Sequence, residues 1–179
     1  MKNRRGVGEI MKKILFAICG LMLLVAGGCT VKYTLSGASI PPDAKTFSVA
    51  YFPNNAPMVA PVLSATLTDE LTQRFASRTR LVQVPEGGDF AFEGEIVGYT
   101  STTSSVSSGD YALQNRLTIT VKVNFTNVID DKASFKARSF SAYADYDSTK
   151  LLTEVESTLI PEIVDQIVTD IFMAAASNW

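Results

Sequence analysis

Cys29 is the residue whose surroundings point most directly to a covalent reaction. A basic pair, Lys12-Lys13, precedes an uncharged apolar run over residues 14–25, and the small residues 26–28 (Ala-Gly-Gly) follow directly before the cysteine. This arrangement is typical of a secretory signal, and the run is shorter than the roughly 20 apolar residues that span a bilayer. A cysteine at this point predicts a thiol acylated with diacylglycerol and palmitate, which anchors the mature chain to a membrane.

Processing at Cys29 would remove residues 1–28 as a lipoprotein signal peptide and leave residues 29–179 as the mature chain. The alternative is an ordinary signal peptide followed by an incidental cysteine. Translation begins at Met1 or at Met11, since an equally good signal starts at either methionine.

The remaining residue types exclude most catalytic chemistry. The chain has no histidine, which rules out Ser-His-Asp and Cys-His catalysis and removes a usual zinc ligand. Cys19 leaves with the signal, so the single mature cysteine carries lipid and no disulfide can form. The glycines from Gly87 to Gly98 form neither a phosphate loop nor a dinucleotide fingerprint. We therefore expect no enzyme, no metal and no cofactor beyond the lipid on Cys29.

The charged residues limit the possible partners. The carboxylate pairs Glu93/Glu95 and Asp145/Asp147 each lie two apart on one side of a predicted strand, where carboxylates are usually solvated rather than catalytic. Removing the signal takes away five of the 16 cations and one of the 18 anions, which leaves a net charge of −6. A nucleic-acid partner is not expected, because binding a phosphate backbone needs a basic surface.

A long predicted hairpin over residues 115–146 carries the candidate binding residues. If Phe125 lies near Ala137 and Val121 lies near Ser141, the apolar residues of both strands share one face. The opposite face then carries four cations around an aromatic ring: Arg116, Lys122, Lys136 and Arg138, with Phe140 among them. Such a face suits the phosphate of an amphipathic ligand. The alternative is an ordinary solvated sheet face.

A sheet and two helices are needed to position these residues, and periodicity predicts both. In chain order we expect an edge strand over 30–35, a strand over 46–52, a helix from Pro61 to residue 78, strands over 81–84 and 90–101, hairpin strands over 115–127 and 134–146, and a helix from Leu151. Pro161 either kinks this last helix or begins it afresh behind Thr158. Two helices on one face of a mostly antiparallel or mixed sheet of about four to six strands make a single α+β two-layer sandwich.

Glycines inside the strand over 90–101 predict a close contact. In a regular strand, Gly94 and Gly98 share a face with Phe92 and Ile96. Small residues beside large ones indicate that a helix lies close over that face.

A set of short segments carries further information through its order and spacing. These segments are Tyr33-Thr34-Leu35-Ser36-Gly37, Ile40-Pro41-Pro42, Lys45-Thr46-Phe47-Ser48-Val49, Phe52-Pro53-Asn54-Asn55-Ala56, Leu67-Thr68-Asp69-Glu70-Leu71, Thr79-Arg80-Leu81, Phe92-Glu93-Gly94-Glu95-Ile96 and Asn115-Arg116-Leu117-Thr118-Ile119-Thr120-Val121. Together they span nearly the whole mature chain and resemble the LPS-assembly lipoprotein family, LptE, in its Bacteroidota-type form.

The resemblance implies an outer-membrane lipoprotein on the periplasmic face, with two helices packed on a four-stranded sheet. It also implies that the domain partners and plugs the LPS-assembly β-barrel, aids assembly of that barrel and contacts lipopolysaccharide. No LPS-binding position of the family can be matched here, so the four hairpin cations remain an inference from the residues.

Three further interpretations remain open. The chain also resembles periplasmic accessory lipoproteins of secretion or peptidoglycan-synthesis complexes, and a small-ligand carrier is another class. Asp147-Ser148-Thr149 is either a turn before the last helix or, in Bacteroidota, an O-glycosylation motif.

Overall fold

The computed structural model describes residues 40–58, 60–104 and 113–176, which form a five-stranded mixed sheet with two helices on one face. In chain order the elements are β1 (Thr46–Val49), α1 (Leu63–Arg78), β2 (Val82–Gln83), β3 (Phe90–Ser104), β4 (Gln114–Asn127), a short 3₁₀ helix (Asp131–Ala133), β5 (Phe135–Asp147) and α2 (Leu152–Ala176). The predicted α+β two-layer sandwich is confirmed. The strand expected over 30–35 falls outside the described residues.

The strand order across the sheet is β2-β1-β3-β4-β5. β1 runs parallel to both β2 and β3, whereas β3, β4 and β5 form an antiparallel meander. Parallel neighbours need a crossover connection, and α1 provides it between β1 and β2. The crossover places α1 on the same face of the sheet that α2 covers.

Helix α1 buries the apolar stripe that the sequence predicted. Leu63, Leu67, Leu71 and Phe75 lie one turn apart and are fully buried. The helix begins at Leu63, two residues after Pro61. The stripe therefore fixes which side of α1 meets the sheet.

Helix α2 continues through Pro161, so of the two alternatives at this proline the fresh start behind Thr158 is wrong. Its buried residues recur at helical spacing: Leu159, Ile160, Ile163, Val164, Ile167, Val168, Ile171, Phe172 and Ala176. Arg74 joins the two helices, because its Nη2 lies 2.5 Å from Asp165 Oδ1 and its Nη1 donates to Thr169 Oγ1 at 2.8 Å.

Aromatic rings join the helices to the sheet. The ring centroid of Phe75 lies 4.6 Å from that of Phe92, 5.1 Å from that of Phe172 and 5.9 Å from that of Phe47. These three neighbours belong to β3, α2 and β1 respectively. A single α1 side chain therefore contacts both the sheet and the other helix.

A bulge in β3 separates the two glycines that the sequence placed on one face. The register with β4 shifts between Ile96 and Gly98, which leaves Val97 as the extra residue. Gly98 turns to the outer face, where a Cβ would lie 3.1 Å from Thr120 Cβ. Gly94 stays on the core face.

The ring over Gly94 is Phe52, not a helix, so that detail of the prediction is wrong. A Cβ on Gly94 would lie 2.5 Å from Cε1 of Phe52 and would overlap the carbonyl oxygen of Lys122. The Phe52 N–H donates to Thr68 Oγ1 of α1 at 3.2 Å, which holds the segment after β1 in place. Gly94 thus makes room for an inserted loop ring.

Asp89, just before β3, holds the start of β1. Its Oδ2 accepts hydrogen bonds from the backbone N–H groups of Lys45 (2.8 Å) and Thr46 (2.9 Å) and from Thr46 Oγ1 (3.0 Å). These bonds favour the charged carboxylate and lower the pKa of Asp89.

Candidate functional site

The β4–β5 register differs from the predicted one. Val121 pairs with Phe140, Val123 pairs with Arg138, and Phe125 pairs with Phe135. The expected partners of Val121 and Phe125 were Ser141 and Ala137, so the prediction is wrong by one residue at Val121 and by two at Phe125.

A bulge at Ala137 changes the offset from two residues at Phe125 to one residue at Val121. The register shifts between Val123 and Phe125, and Ala137 has a positive φ of 51°. The Ala137 N–H donates to the Asn124 side-chain oxygen at 2.7 Å, which stabilises the extra residue. Because side chains alternate along a strand, a slip of one residue moves each side chain to the other face.

The predicted face of four cations is therefore not formed. Phe140 points into the core and is only 6% exposed, and Arg138 follows it to the helix side of the sheet. Arg116 and Lys122 lie on the outer face, because they alternate with the buried residues of β4. Lys136 is exposed next to the bulge.

Arg116 is already paired on the outer face. Its Nε and Nη2 donate to the two carboxylate oxygens of Asp145 at 2.7 and 2.8 Å, and its guanidinium lies 3.7 Å from the ring centroid of Tyr143. These hydrogen bonds, and secondarily the opposite charges, lower the pKa of Asp145 and raise the pKa of Arg116. The charge of Arg116 is thus largely matched within the protein.

Lys122 lies in an acidic part of the outer face. It is opposite Glu95 on β3 and lines a shallow depression together with Glu93 and Glu95. Glu95 Oε2 accepts a hydrogen bond from Asn55 Nδ2 at 2.7 Å. The nearby carboxylates make this lysine a poor contact for phosphate.

The predicted carboxylates Asp145 and Asp147 have structural partners. Asp145 binds Arg116, and Asp147 Oδ1 accepts hydrogen bonds from the N–H and Oγ1 of Thr149 at 2.8 and 2.7 Å, which closes the turn before α2. These bonds lower the pKa of Asp147. Across the part of the chain that the structure describes, no three His, Cys, Asp or Glu side chains group to hold a metal ion.

Arg138 lies in a cleft between the end of the hairpin and the last turns of α2. Its guanidinium carbon is 5.4 Å from the ring centroid of Phe135 and 5.2 Å from that of Phe140. The cleft has a volume of about 720 Å³, and its wall also includes Asp130 and Asp170. Among residues 40–58, 60–104 and 113–176, no carboxylate lies within 4 Å of the guanidinium.

The aromatic-backed cation suits an anionic group, because Arg138 supplies a planar donor for phosphate or carboxylate. Phe90 and Phe140 are almost wholly buried behind a largely polar cleft surface. The sequence pattern indicated Arg138 as a candidate but did not predict the cleft. The sequence feature that could have indicated the cleft is the pair of aromatic residues on both sides of the bulge, Phe135 and Phe140.

No helix in the described ranges is long and apolar enough to span a membrane. This finding concerns only residues 40–58, 60–104 and 113–176.

Several solved structures are similar to this chain at low sequence identity. A minor lipoprotein from Acinetobacter baumannii is 16% identical, with 74% of this chain and 94% of that chain covered and a TM-score of 0.46. A hypothetical protein from Chlamydia trachomatis is 12% identical, with coverage of 72% and 93% and a TM-score of 0.48. Uncharacterized lipoprotein B from Nitrosomonas europaea is 14% identical, with coverage of 72% and 79% and a TM-score of 0.42.

The sequence matches no curated protein. The model of one protein family, described as lipopolysaccharide-assembly, LptE, matches residues 44–175. That match includes both helices except for the last residue of α2, and all five strands. The chain belongs to the lipopolysaccharide-assembly family, LptE, and is an LPS-assembly lipoprotein of the outer membrane.

Proposed function

We propose that the mature chain partners and plugs the LPS-assembly β-barrel of the outer membrane, and that it aids barrel assembly and LPS insertion without catalysis. The family match over residues 44–175 is the observation that supports this function. The lack of histidine and the acylation expected at the one mature cysteine agree with a non-enzymatic role.

The proposed anchor is the lipid on Cys29, which would hold the domain on the periplasmic face of the outer membrane. Thr30 follows the cysteine in place of the aspartate that retains enteric lipoproteins at the inner membrane. No acidic run of the kind associated with surface display in Bacteroidota follows it.

The proposed LPS contact is the cleft at Arg138, with Lys136 beside it. Arg116 is a weaker candidate because it is paired with Asp145, and Lys122 is weaker because no aromatic ring lines its depression. A guanidinium can bind phosphate through two parallel hydrogen bonds.

The barrel partnership is tested by affinity purification of tagged protein from detergent-solubilised outer membranes. A stable one-to-one complex with an integral barrel supports the proposal. Capture of a soluble or inner-membrane complex would favour the accessory-lipoprotein alternative, and recovery of the protein alone would favour a carrier.

The LPS contact is tested by charge reversal of Lys136 and Arg138 to Glu. Charged hydrogen bonds are worth about 1.5 kcal/mol or more, so LPS affinity should fall by at least about tenfold. The residual binding should also depend less on salt. Barrel assembly should survive, because exposed substitutions usually change stability by about 0.5 kcal/mol or less.

The matched control reverses Arg78 and Lys150, two exposed cations that do not line the cleft. This variant has the same net charge and should bind LPS as the wild type does. LPS stripped of its phosphates should bind equally to the wild type, to the test variant and to the control variant. Unchanged LPS affinity of the test variant at low salt would show that both side chains are merely solvated.

A further inference from the structure

Strand β5 ends the sheet with an open backbone edge. Across residues 40–58, 60–104 and 113–176, β4 is the only strand that pairs with it. Beyond the bulge, every residue of Arg138–Asp147 has a partner on β4 in one unbroken register. In an antiparallel ladder, every second residue points its N–H and C=O groups away from the neighbouring strand. The edge of β5 therefore offers a row of hydrogen-bonding groups to one more strand.

This edge has little of the protection that edges usually carry. Natural edges often hold lysine, other charges or proline, which make an added strand unfavourable. From Ser139 to Ala144 the sequence contains neither a charged residue nor a proline. Farther along, Asp145 is bound by Arg116, and Asp147 closes the turn before α2. The stretch after the bulge therefore does not repel an incoming strand.

The core side of β5 is incompletely covered. Its four buried side chains keep 5–8% exposure: Phe140, Ala142, Ala144 and Tyr146. The inward residues opposite them on β4 are at 0%: Leu117, Ile119, Val121 and Val123. Two small alanines lie between two large rings, which leaves a shallow trough along the core side of the edge. Apolar side chains of an added strand would bury this remaining surface.

Helix α2 borders the same edge. Met173 lines the cleft together with Ser139 and Ser141 of β5, and it is 42% exposed. Leu159 lies on the same flank of the helix, because about four turns of 3.6 residues separate it from Met173. One side of an added strand would therefore lie beside apolar groups of α2 and β5. Its other side would lie in solvent, next to the outward side chains of β5.

We propose that the edge of β5 pairs with a strand of the barrel polypeptide while the barrel assembles. This inference rests on the barrel partnership proposed above and goes beyond it, because it assigns the contact to one strand. The strands of a membrane barrel alternate apolar and polar side chains over about 9–11 residues. Both that length and that alternation fit the stretch Arg138–Asp147, which has one apolar and one solvated side.

The contact belongs to assembly rather than to the finished complex. In a closed barrel both edges of every strand are paired, so closure releases the strand from β5. Before it reaches the bilayer, a barrel strand exposes to water the side chains that later face lipid. Pairing with β5 places these side chains beside the trough and Met173, which aids assembly without catalysis.

Photo-crosslinking in cells that produce the full acylated protein tests this pairing. Benzoylphenylalanine is placed in turn at three outward positions of β5: Ser139, Ser141 and Tyr143. The controls are their partners on β4, which face the same side from an inner strand: Lys122, Thr120 and Thr118. The probe is the newly made barrel polypeptide, followed by pulse-chase and recovered with the tagged chain.

We expect crosslinks from the β5 positions early in the chase and their loss as the barrel closes. Side chains on one side of a strand repeat every two residues. The crosslinked site on the barrel polypeptide should therefore move by about two residues for each step along β5. The β4 positions should crosslink only weakly, because their strand lies about 5 Å farther from the partner.

A pair of proline variants provides the second test. Ala142→Pro and Tyr143→Pro remove adjacent N–H groups, one of which points to β4 and the other to the open edge. The edge variant is the one that unfolds in urea near the wild-type midpoint, because it keeps every hydrogen bond to β4. We expect this variant to lose the crosslinks from Ser139 and Ser141 and to slow barrel assembly.

Four outcomes would refute the inference and leave the barrel partnership intact. Equal crosslinking from β4 and β5 would place the partner on the outer face. A second copy of this chain as the product would assign the edge to self-pairing. Scattered or absent crosslinked sites on a copurifying barrel, or an edge variant that crosslinks as the wild type does, would exclude strand pairing. If no barrel copurifies, the proposed function fails, and this inference fails with it.

Discussion

Replacing Gly94 by alanine should destabilise the domain, whereas the same change at Gly98 should not. At Gly94 the new methyl group would meet the buried ring of Phe52 at 2.5 Å and the backbone of Lys122, so the ring must move. Overpacking of this kind costs about 1–3 kcal/mol, and the loss of backbone freedom in the unfolded chain returns about 0.4–1 kcal/mol. The net expectation is a loss of about 1–2 kcal/mol.

Gly98→Ala is the matched control. Its methyl group would point to the half-exposed outer face, 3.1 Å from Thr120 Cβ, where a single side chain can adjust. We expect a change of about 0.5 kcal/mol or less. The assay is urea unfolding of the soluble mature domain, and Gly94→Ala should also lower Tm by about 2–8 °C.

A double-mutant cycle with Phe52→Leu tests the cause. The smaller leucine should relieve the clash, so the two changes should be non-additive by about 0.5 kcal/mol or more. Additive effects, or a Gly94→Ala protein as stable as Gly98→Ala, would refute the placement of the Phe52 ring over Gly94.

Three further predictions concern the core, the pH dependence and the anchor. Phe75→Ala should cost about 3–5 kcal/mol in urea unfolding, because its ring meets three other buried rings, whereas Phe135→Ala at the half-buried hairpin end should cost less. Asp89→Asn should lower stability by a constant amount at neutral pH. Because the native state lowers the pKa of Asp89 below 3.8, that difference should shrink as the pH falls through and below 3.8, and a pH-independent difference would contradict the assigned hydrogen bonds. Cys29→Ala should abolish labelling by a palmitate analogue and release the protein from membranes or block its processing; labelling that persists would rule out this acylation site.

The parts of the fold that repeat a regular period were predictable from the sequence. The stripe from Leu63 to Phe75 and the alternation from Leu117 to Phe125 each satisfy one pattern over several turns or residue pairs. Such a pattern arises because one face of a helix or strand is buried. The residues of that element alone show which face it is.

The two bulges were not predictable, because their causes lie elsewhere in the chain. The Ala137 bulge is stabilised by Asn124, a side chain of the neighbouring strand. The Val97 bulge turns Gly98 to the outer face. The space above Gly94 is occupied by the ring of Phe52. Each extra residue moves the side chains that follow it in the strand to the opposite faces of the sheet. For this reason the predicted grouping of the four cations on one surface is wrong.

The bulge at Ala137 also bears on how the protein avoids self-association. β5 is the outermost strand of the described sheet, and its 13 residues place a long backbone edge at one side of the domain. A long straight edge invites a second copy to add its own strand, which leads to fibrils and precipitation. The left-handed residue bends and twists the edge near its start, so a second copy could add a regular ladder only beyond the bulge. The bulge therefore shortens the straight edge that β5 offers to another chain.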